Sequence, residues 1–267
     1  MAKQIGQKTI SDFGSQWTRY TKNDGYYGSN ELLKDFLGPL LNLKELQGKT
    51  VVDVGSGSGR IVNMLLDSGV SKVYAVEPSE AALEICKKNT SDRNDQVEYI
   101  QCGGKDIPDM AVDFVISLGV IHHIPDPLPT IHRAYEILKP GGKLIIWVYG
   151  LEGNSLYLKI FTPIRRLTPK LPDWILELLS FFLNGLLSIY IFLCQFIPLP
   201  QRAYVKNVLS KLNWKQRAQV VIFDQLNPTY AKYYSKDEIE NLIRSGGFKK
   251  INIYHRHGYS WTICGEK

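Results

Sequence analysis

The chain has 267 residues, 44% of them apolar or aromatic, with a formal charge of +6. That length suits one α/β domain with an insertion, and the apolar share is ample for a sizeable core. Four scattered cysteines (Cys86, Cys102, Cys194, Cys264) exclude a disulfide framework and show no metal-ligand spacing, so a reduced, cytoplasmic setting without a metal is expected.

Met1 to Lys8 is polar and no apolar run follows, so no secretory leader is expected. Phe13, Trp17 and Tyr20 recur at i, i+4 and i+7, one face of a helix. Tyr26 and Tyr27 lie in a glycine-flanked loop, and Glu31 to Leu41 gives a second helical pattern. Residues 1–47 therefore read as a helical cap. Thr50 to Val54 is a strand, with Val51, Val52 and Val54 β-branched as a parallel strand covered on both faces requires. It runs into Gly55-Ser56-Gly57-Ser58-Gly59-Arg60, whose glycines allow a tight turn and the close approach of a ligand. Helical periodicity over Ile61 to Leu66 puts that turn at a helix N-terminus. This is a nucleotide-binding corner.

A dinucleotide fingerprint would carry its third glycine where Arg60 stands. Asp53, inside the strand, suits a ligand with a cationic end better than a pyrophosphate, which it would repel. A P-loop is excluded because no Gly-Lys-Ser/Thr follows. The second strand, Lys72 to Val76, ends at Glu77, 24 residues after Asp53, the place for a carboxylate that accepts from ribose hydroxyls. Strands at 97–101, 113–117 and 142–149, with helices at 59–68, 79–90 and 127–138, complete a doubly wound pattern.

Asp53-Val-Gly55-Ser-Gly57-Ser-Gly59, then Glu77, then Asp113 through Ser117, Gly119, His122, His123 and Pro125-Asp126-Pro127, then Leu138-Lys-Pro140-Gly141-Gly142, resemble the class I S-adenosylmethionine-dependent methyltransferases. The likeness is to their small-molecule and lipid branch, of the ubiquinone and menaquinone type. It covers residues 48–150, and 235–267 more loosely. It implies a Rossmann-like, seven-stranded sheet whose last strand pair is antiparallel, with S-adenosylmethionine as cofactor. Asp53, Gly55, Ser56, Gly57, Gly59 and Glu77 would hold the cofactor, with Gly103, Asp106 and Ser117 bordering its adenine and methionine ends. The family's usual acid after the third strand aligns with Gly103, and Asp106 stands three residues on. In similar enzymes an N-terminal piece such as 1–47 folds over the cofactor; the other reading is that its aromatics simply anchor the helix to the core.

Gly150 to Tyr234 is far too long for a strand–helix connection, so 151–234 reads as an inserted subdomain. Nine basic residues between Lys159 and Arg217, Arg166 among them, face only Asp173 and Glu177, a local charge of +7 that leaves −1 for the rest of the chain. A nucleic-acid-binding face would spread over the domain, so no nucleic-acid partner is expected. The charge flanks Trp174 to Leu199, which carries only Glu177. At 100° per residue, Glu177, Ser180, Asn184, Ser188 and Gln195 form one polar stripe, with Leu186, Ile189 and Leu193 opposite. This is one long helix, or two pieces bent near Gly185, serving as a lid, a core element or a membrane-surface element through 174–199. A single pass is not expected, because Ser235 to Ser245 (Ser235 as N-cap, Glu238 closing a capping box) and the strands at 248–255 and 259–265 return to the same sheet.

The residues for chemistry are fewer. His122 and His123 follow the fourth strand at the carboxyl edge where ligands bind, and His123 is the candidate base for an acceptor hydroxyl. Asp224 and Tyr230, just before the final helix, are the next candidates. The reading is methyl transfer to a hydroxyl of a small or lipid-like acceptor. The alternatives are a polar acceptor such as a glycan sugar, and a chemically inactive cofactor-binding partner subunit.

Overall fold

The computed structural model describes residues 2–165 and 167–267, so Arg166 lies outside the described residues. In chain order, α1 (Ala2–Arg19) and α2 (Asn30–Leu37) precede β1 (Thr50–Val54), α3 (Arg60–Asp67), β2 (Lys72–Val76), α4 (Glu80–Asn89), β3 (Val97–Ile100), β4 (Val112–Leu118), α5 (Leu128–Ile137) and β5 (Leu138–Tyr149). Next come α6 (Ser155–Arg165), α7 (Asp173–Phe196), α8 (Arg202–Asn207), then α9 (Trp214–Gln216) and α10 (Phe223–Leu226), joined by a π-helical turn. The chain closes with α11 (Lys236–Ser245), β6 (Lys250–Arg256) and β7 (Ser260–Glu266).

The strands form one seven-stranded sheet in the order β3-β2-β1-β4-β5-β7-β6. β1 to β5 are parallel, and β7 runs antiparallel to both β5 and β6. Side chains alternate across the sheet. Val51, Val73, Ile116 and Ile145 pack under α2, α3 and α4, while Val52, Val115, Leu144 and Ile146 pack under α5 and α11. Both faces being covered is why β1 reads as an unbroken apolar run apart from Asp53. Ser235 caps α11, accepting from the Glu238 amide while the Glu238 carboxylate accepts from the Ser235 amide.

The insertion leaves and rejoins the sheet at one point. Gly150 and Tyr234 form a β-bridge, and the Tyr234 amide donates to the Tyr149 carbonyl at 2.9 Å. Within the insertion α7 is a single helix without a break at Gly185. It is long and apolar enough to cross a membrane, with a mean hydropathy of 1.9 over an 18-residue stretch. It is nevertheless docked along the protein by its polar stripe. Ser180 and Asn184 are buried; Asn184 donates to the Trp214 carbonyl, and Arg217 donates to Asn184 and Ser188. Near its start, Asp173 and Glu177 accept from Arg19 of α1. The apolar stripe faces out: Trp174 is 61% exposed, Phe182 66% and Phe196 70%.

Candidate functional site

The carboxyl ends of β1, β2, β4 and β5 meet at one edge, where open α/β sheets bind ligands. Gly55, Gly57 and Gly59 all have positive φ, and a Cβ on Gly55 would run into Val120. At Gly57 a Cβ would sit 3.0 Å from the Trp17 indole nitrogen, so α1 lies across the turn. Glu77 is buried with both carboxylate oxygens engaged: Oε2 accepts from the Gly57 amide at 3.0 Å and Oε1 from the Ser79 amide at 2.9 Å. Burial raises its pKa despite those two donors. The carboxylate is thus fixed in place with lone pairs left over for ribose hydroxyls.

The turn opens into a cavity of about 1310 Å³, larger than the roughly 300–1,000 Å³ of a usual small-molecule site and roomy enough for two ligands. Gly55, Ser56, Gly57, Glu77, Gly103 and Asp106 line one end. Three expected cofactor residues sit elsewhere. Asp53 is buried below the turn with Oδ2 unpartnered, and its desolvation raises its pKa to about 7. Gly59 is a packing glycine, since a Cβ there would press on Cys86 of α4. Ser117 is turned into the sheet, donating to the Val54 carbonyl at 3.2 Å, because its strand position points it away from the edge. The orphaned Ser56 Oγ, with the glycine cradle, fits a ligand that brings polar groups to this turn.

His123 also lines the cavity. Its Nδ1 lies 2.7 Å from the Tyr230 carbonyl, which fixes that nitrogen as the N–H and leaves Nε2 as the basic one. Burial lowers the imidazole pKa to about 4, with Asp224 pulling the other way, so the ring is neutral near pH 7. Phe13 packs edge-on against it, ring centroids 4.7 Å apart. His122 is buried, its ring tilted against Tyr149 with centroids 3.9 Å apart and neither nitrogen partnered. Tyr230 contributes its carbonyl, and its side chain is not part of the cavity wall. Asp224 does line the cavity, accepting from Gln16 and from the Tyr149 hydroxyl, both at 3.0 Å.

The sequence reading missed the rest of this network. Gln225 donates to the Tyr149 hydroxyl and accepts from the hydroxyls of Tyr157 and Tyr233. Tyr149, the last residue of β5, held the one available signal: its place at the carboxyl edge. Tyr20 lies just beyond α1 and packs edge-on against Phe223, while Phe13 and Trp17 line the cavity. So the aromatics of α1 divide between anchoring and lining. Deeper in, buried Arg256 borders the cavity, its charge met by Asp35 and its other edge by the Tyr259 hydroxyl.

A methyltransferase-domain family model matches residues 52–146, the span that carries the glycine turn, Glu77 and the β4 and β5 edges. The chain contains a class I S-adenosylmethionine-dependent methyltransferase domain. Over 119 residues it is 30% identical to a tRNA U34 carboxymethyltransferase of Shewanella sp. (strain ANA-3), a match covering 43% of this chain and 36% of that protein. The chain thus spans about a third of the length of that relative. Over 151 residues it is 29% identical to the ubiquinone biosynthesis O-methyltransferase of Alkalilimnicola ehrlichii, covering 54% of this chain and 60% of that one. A SAM-dependent methyltransferase structure from Thermotoga maritima superposes with a TM-score of 0.52 at 18% identity, covering 88% of each chain. That likeness shows the methyltransferase fold. S-adenosylmethionine is the cofactor of this domain, and the cradle at Gly55–Gly57 with Glu77 fits it.

Proposed function

We propose that the protein is a methyltransferase that transfers the methyl group of S-adenosylmethionine to a hydroxyl of a lipid-like acceptor, working as a peripheral enzyme on the cytoplasmic side of a membrane. One observation carries the acceptor class. The cavity that starts at the glycine turn passes His123 and continues between apolar side chains of α6 and α7, among them Ile160, Phe161, Leu183 and Leu187. In this reading residues 1–47 cap the cofactor, 48–150 hold it, 151–234 receive the acceptor and 235–267 complete the sheet. The ubiquinone O-methyltransferase similarity favours a hydroxyl acceptor of this kind. The tRNA enzyme similarity spans under half of the chain and does not choose an acceptor.

The cofactor supplies a methyl group on a sulfonium with a good leaving group; the chain positions the acceptor and takes its proton. His123 lines the cavity, and its Nε2 accepts the hydroxyl proton, its Nδ1–H held by the Tyr230 carbonyl and the resulting positive charge favoured by Asp224. The Tyr149 hydroxyl stays neutral, since burial holds its pKa well above the usual range, and it orients Asp224 as a donor. Phe13 and Trp17 of α1 cover the site and exclude water. Incubation of the protein with methyl-labelled cofactor and total cell extract, followed by solvent partition, tests the reading. Label is expected in the organic phase. Label confined to the aqueous small-molecule or tRNA fraction overturns it.

A further inference from the structure

Helix α7 is amphipathic with its polar side inward. Asn184 is fully buried, while Trp174, Leu178, Phe182, Leu186, Ile189 and Phe192 are more than half exposed. Leu156 and Ile160 of α6, with Leu167, enlarge the patch. Monomeric proteins seldom leave such a surface to water. Its border is basic. Exposed Lys159, Lys170 and Lys215 are chain neighbours of exposed Ile160, Leu171 and Trp214, and make no ion pair among the described residues. Asp173 and Glu177 are already taken by Arg19. This is the pattern of a helix lying in a membrane interface, lysine stems along the apolar boundary and ammonium groups at the headgroups.

The cavity reaches the surface at this face as well as at the cofactor end beside Gln7 and Asp106. Leu156, Ile160 and Leu186 both line the cavity and stand more than half exposed. We propose that the α6–α7 face seats on an anionic bilayer, and that the gap between these helices admits the chain of an acceptor resident in that bilayer. Only the acceptor's head group then travels to His123. This rests on the methyltransferase reading above and adds the surface and the route. A second copy of the chain fits the face less well. A two-fold contact would set the lysine rim against its own copy and would close the opening between α6 and α7. A lipid surface with negative headgroups meets the apolar patch and the rim together.

The test uses the full chain with vesicles of phosphatidylcholine alone and with phosphatidylglycerol added. Co-sedimentation is expected only with the anionic lipid, falling as salt is raised. Lipids brominated in the acyl chain should quench the fluorescence of the wild type and quench Trp174→Phe less. Phe182→Ser with Ile189→Ser, neither lining the cavity, should weaken vesicle binding by about a hundredfold or more while calorimetric S-adenosylmethionine affinity is unchanged. For the route, Leu183→Trp should weaken binding of a dansyl-labelled undecanoic acid about tenfold or more, again with cofactor affinity intact. Absence of vesicle binding at low salt, or a stable dimer that Phe182→Ser dissociates, overturns the bilayer seat. Unchanged dansyl-probe binding by Leu183→Trp overturns the route. In each case a protein that still binds cofactor and methylates extract leaves the methyltransferase reading standing. A wild type that binds no S-adenosylmethionine ends that reading instead.

Discussion

Strand β1 and helix α7 are both apolar runs, yet they solve opposite problems. In β1, Val51, Val52 and Val54 are buried by α2, α3 and α5, so the chain itself supplies all the cover its apolar groups need. In α7 the chain covers Ser180 and Asn184 and leaves Phe182, Ile189 and Phe196 outside. The first region derives its order from the hydrophobic effect within one molecule. The second is held by buried Leu176 and Cys194 together with hydrogen bonds from Arg217 and Asn184 and the Arg19 pairs, and its outer apolar face is left exposed. The two regions share one hydrophobic cluster, which holds Val51 and Cys194, and one cavity, which His123 lines.

Substitutions should therefore sort by region. The largest effect belongs to the cavity that both regions border: His123→Ala should lower turnover by about 10²–10⁴-fold with cofactor affinity near wild type. A loss under about tenfold would return the ring to a packing role and leave Asp224 as the next candidate. In the sheet region, Leu65→Ala, at a fully buried position of α3, should cost about 2–5 kcal/mol in denaturant unfolding. In α7 the inner polar face should matter more than the outer apolar one. Asn184→Ala leaves the Trp214 carbonyl and the Arg217 guanidinium short of a partner, for about 1–3 kcal/mol. Phe182→Ala, 66% exposed, should stay within about 0.5 kcal/mol without lipid. If Phe182→Ala proves as costly as Leu65→Ala, the face is buried in solution and the contrast fails.

A smaller effect follows from three buried titrating groups. The His123 pKa is lowered to about 4, so between about 4 and 6.5 the folded protein binds fewer protons than the unfolded one at this site. That contribution makes stability rise with pH, and it is lost as pH falls through the window. His122 acts in the same direction, its charged form disfavoured by burial. Asp53, raised to about 7, does the reverse: the folded state holds the extra proton between about 4 and 7, and stability falls as pH rises. Asp53→Asn should therefore steepen the rise of Tm with pH below 6.5, and His123→Gln should flatten it. Equal slopes for both variants and the wild type would contradict these assignments.

Much of the cofactor end was legible in the chain, because its signals are local. The glycine spacing after β1, the acid at the end of β2 and the alternation of strands and helices depend on neighbours a few residues apart. Side-chain direction does not. Ser117 lies on the right strand, yet its place in the pleat turns it to Val54. Tyr230 lies on the right loop, yet the group that reaches His123 is its carbonyl. Asp224, Tyr149 and Gln225 come together only when α10 is laid over the end of β5, a contact no local pattern encodes. For α7 the stripe of Ser180, Asn184 and Ser188 was plain from its period. A period gives two faces but not which one points inward, and the partners that decide it, the Trp214 carbonyl and Arg217, lie some thirty residues away.

The central claim is that the turn after β1 and the carboxylate after β2 hold S-adenosylmethionine, and calorimetric titration of the wild type and Glu77→Ala tests it most directly. The wild type should bind S-adenosylmethionine and not NAD. Glu77→Ala should bind at least about tenfold more weakly, since each charge-assisted hydrogen bond from the ribose contributes about 1.5–3 kcal/mol. Equal affinity of the two proteins, or tight binding of NAD by the wild type, would contradict the account.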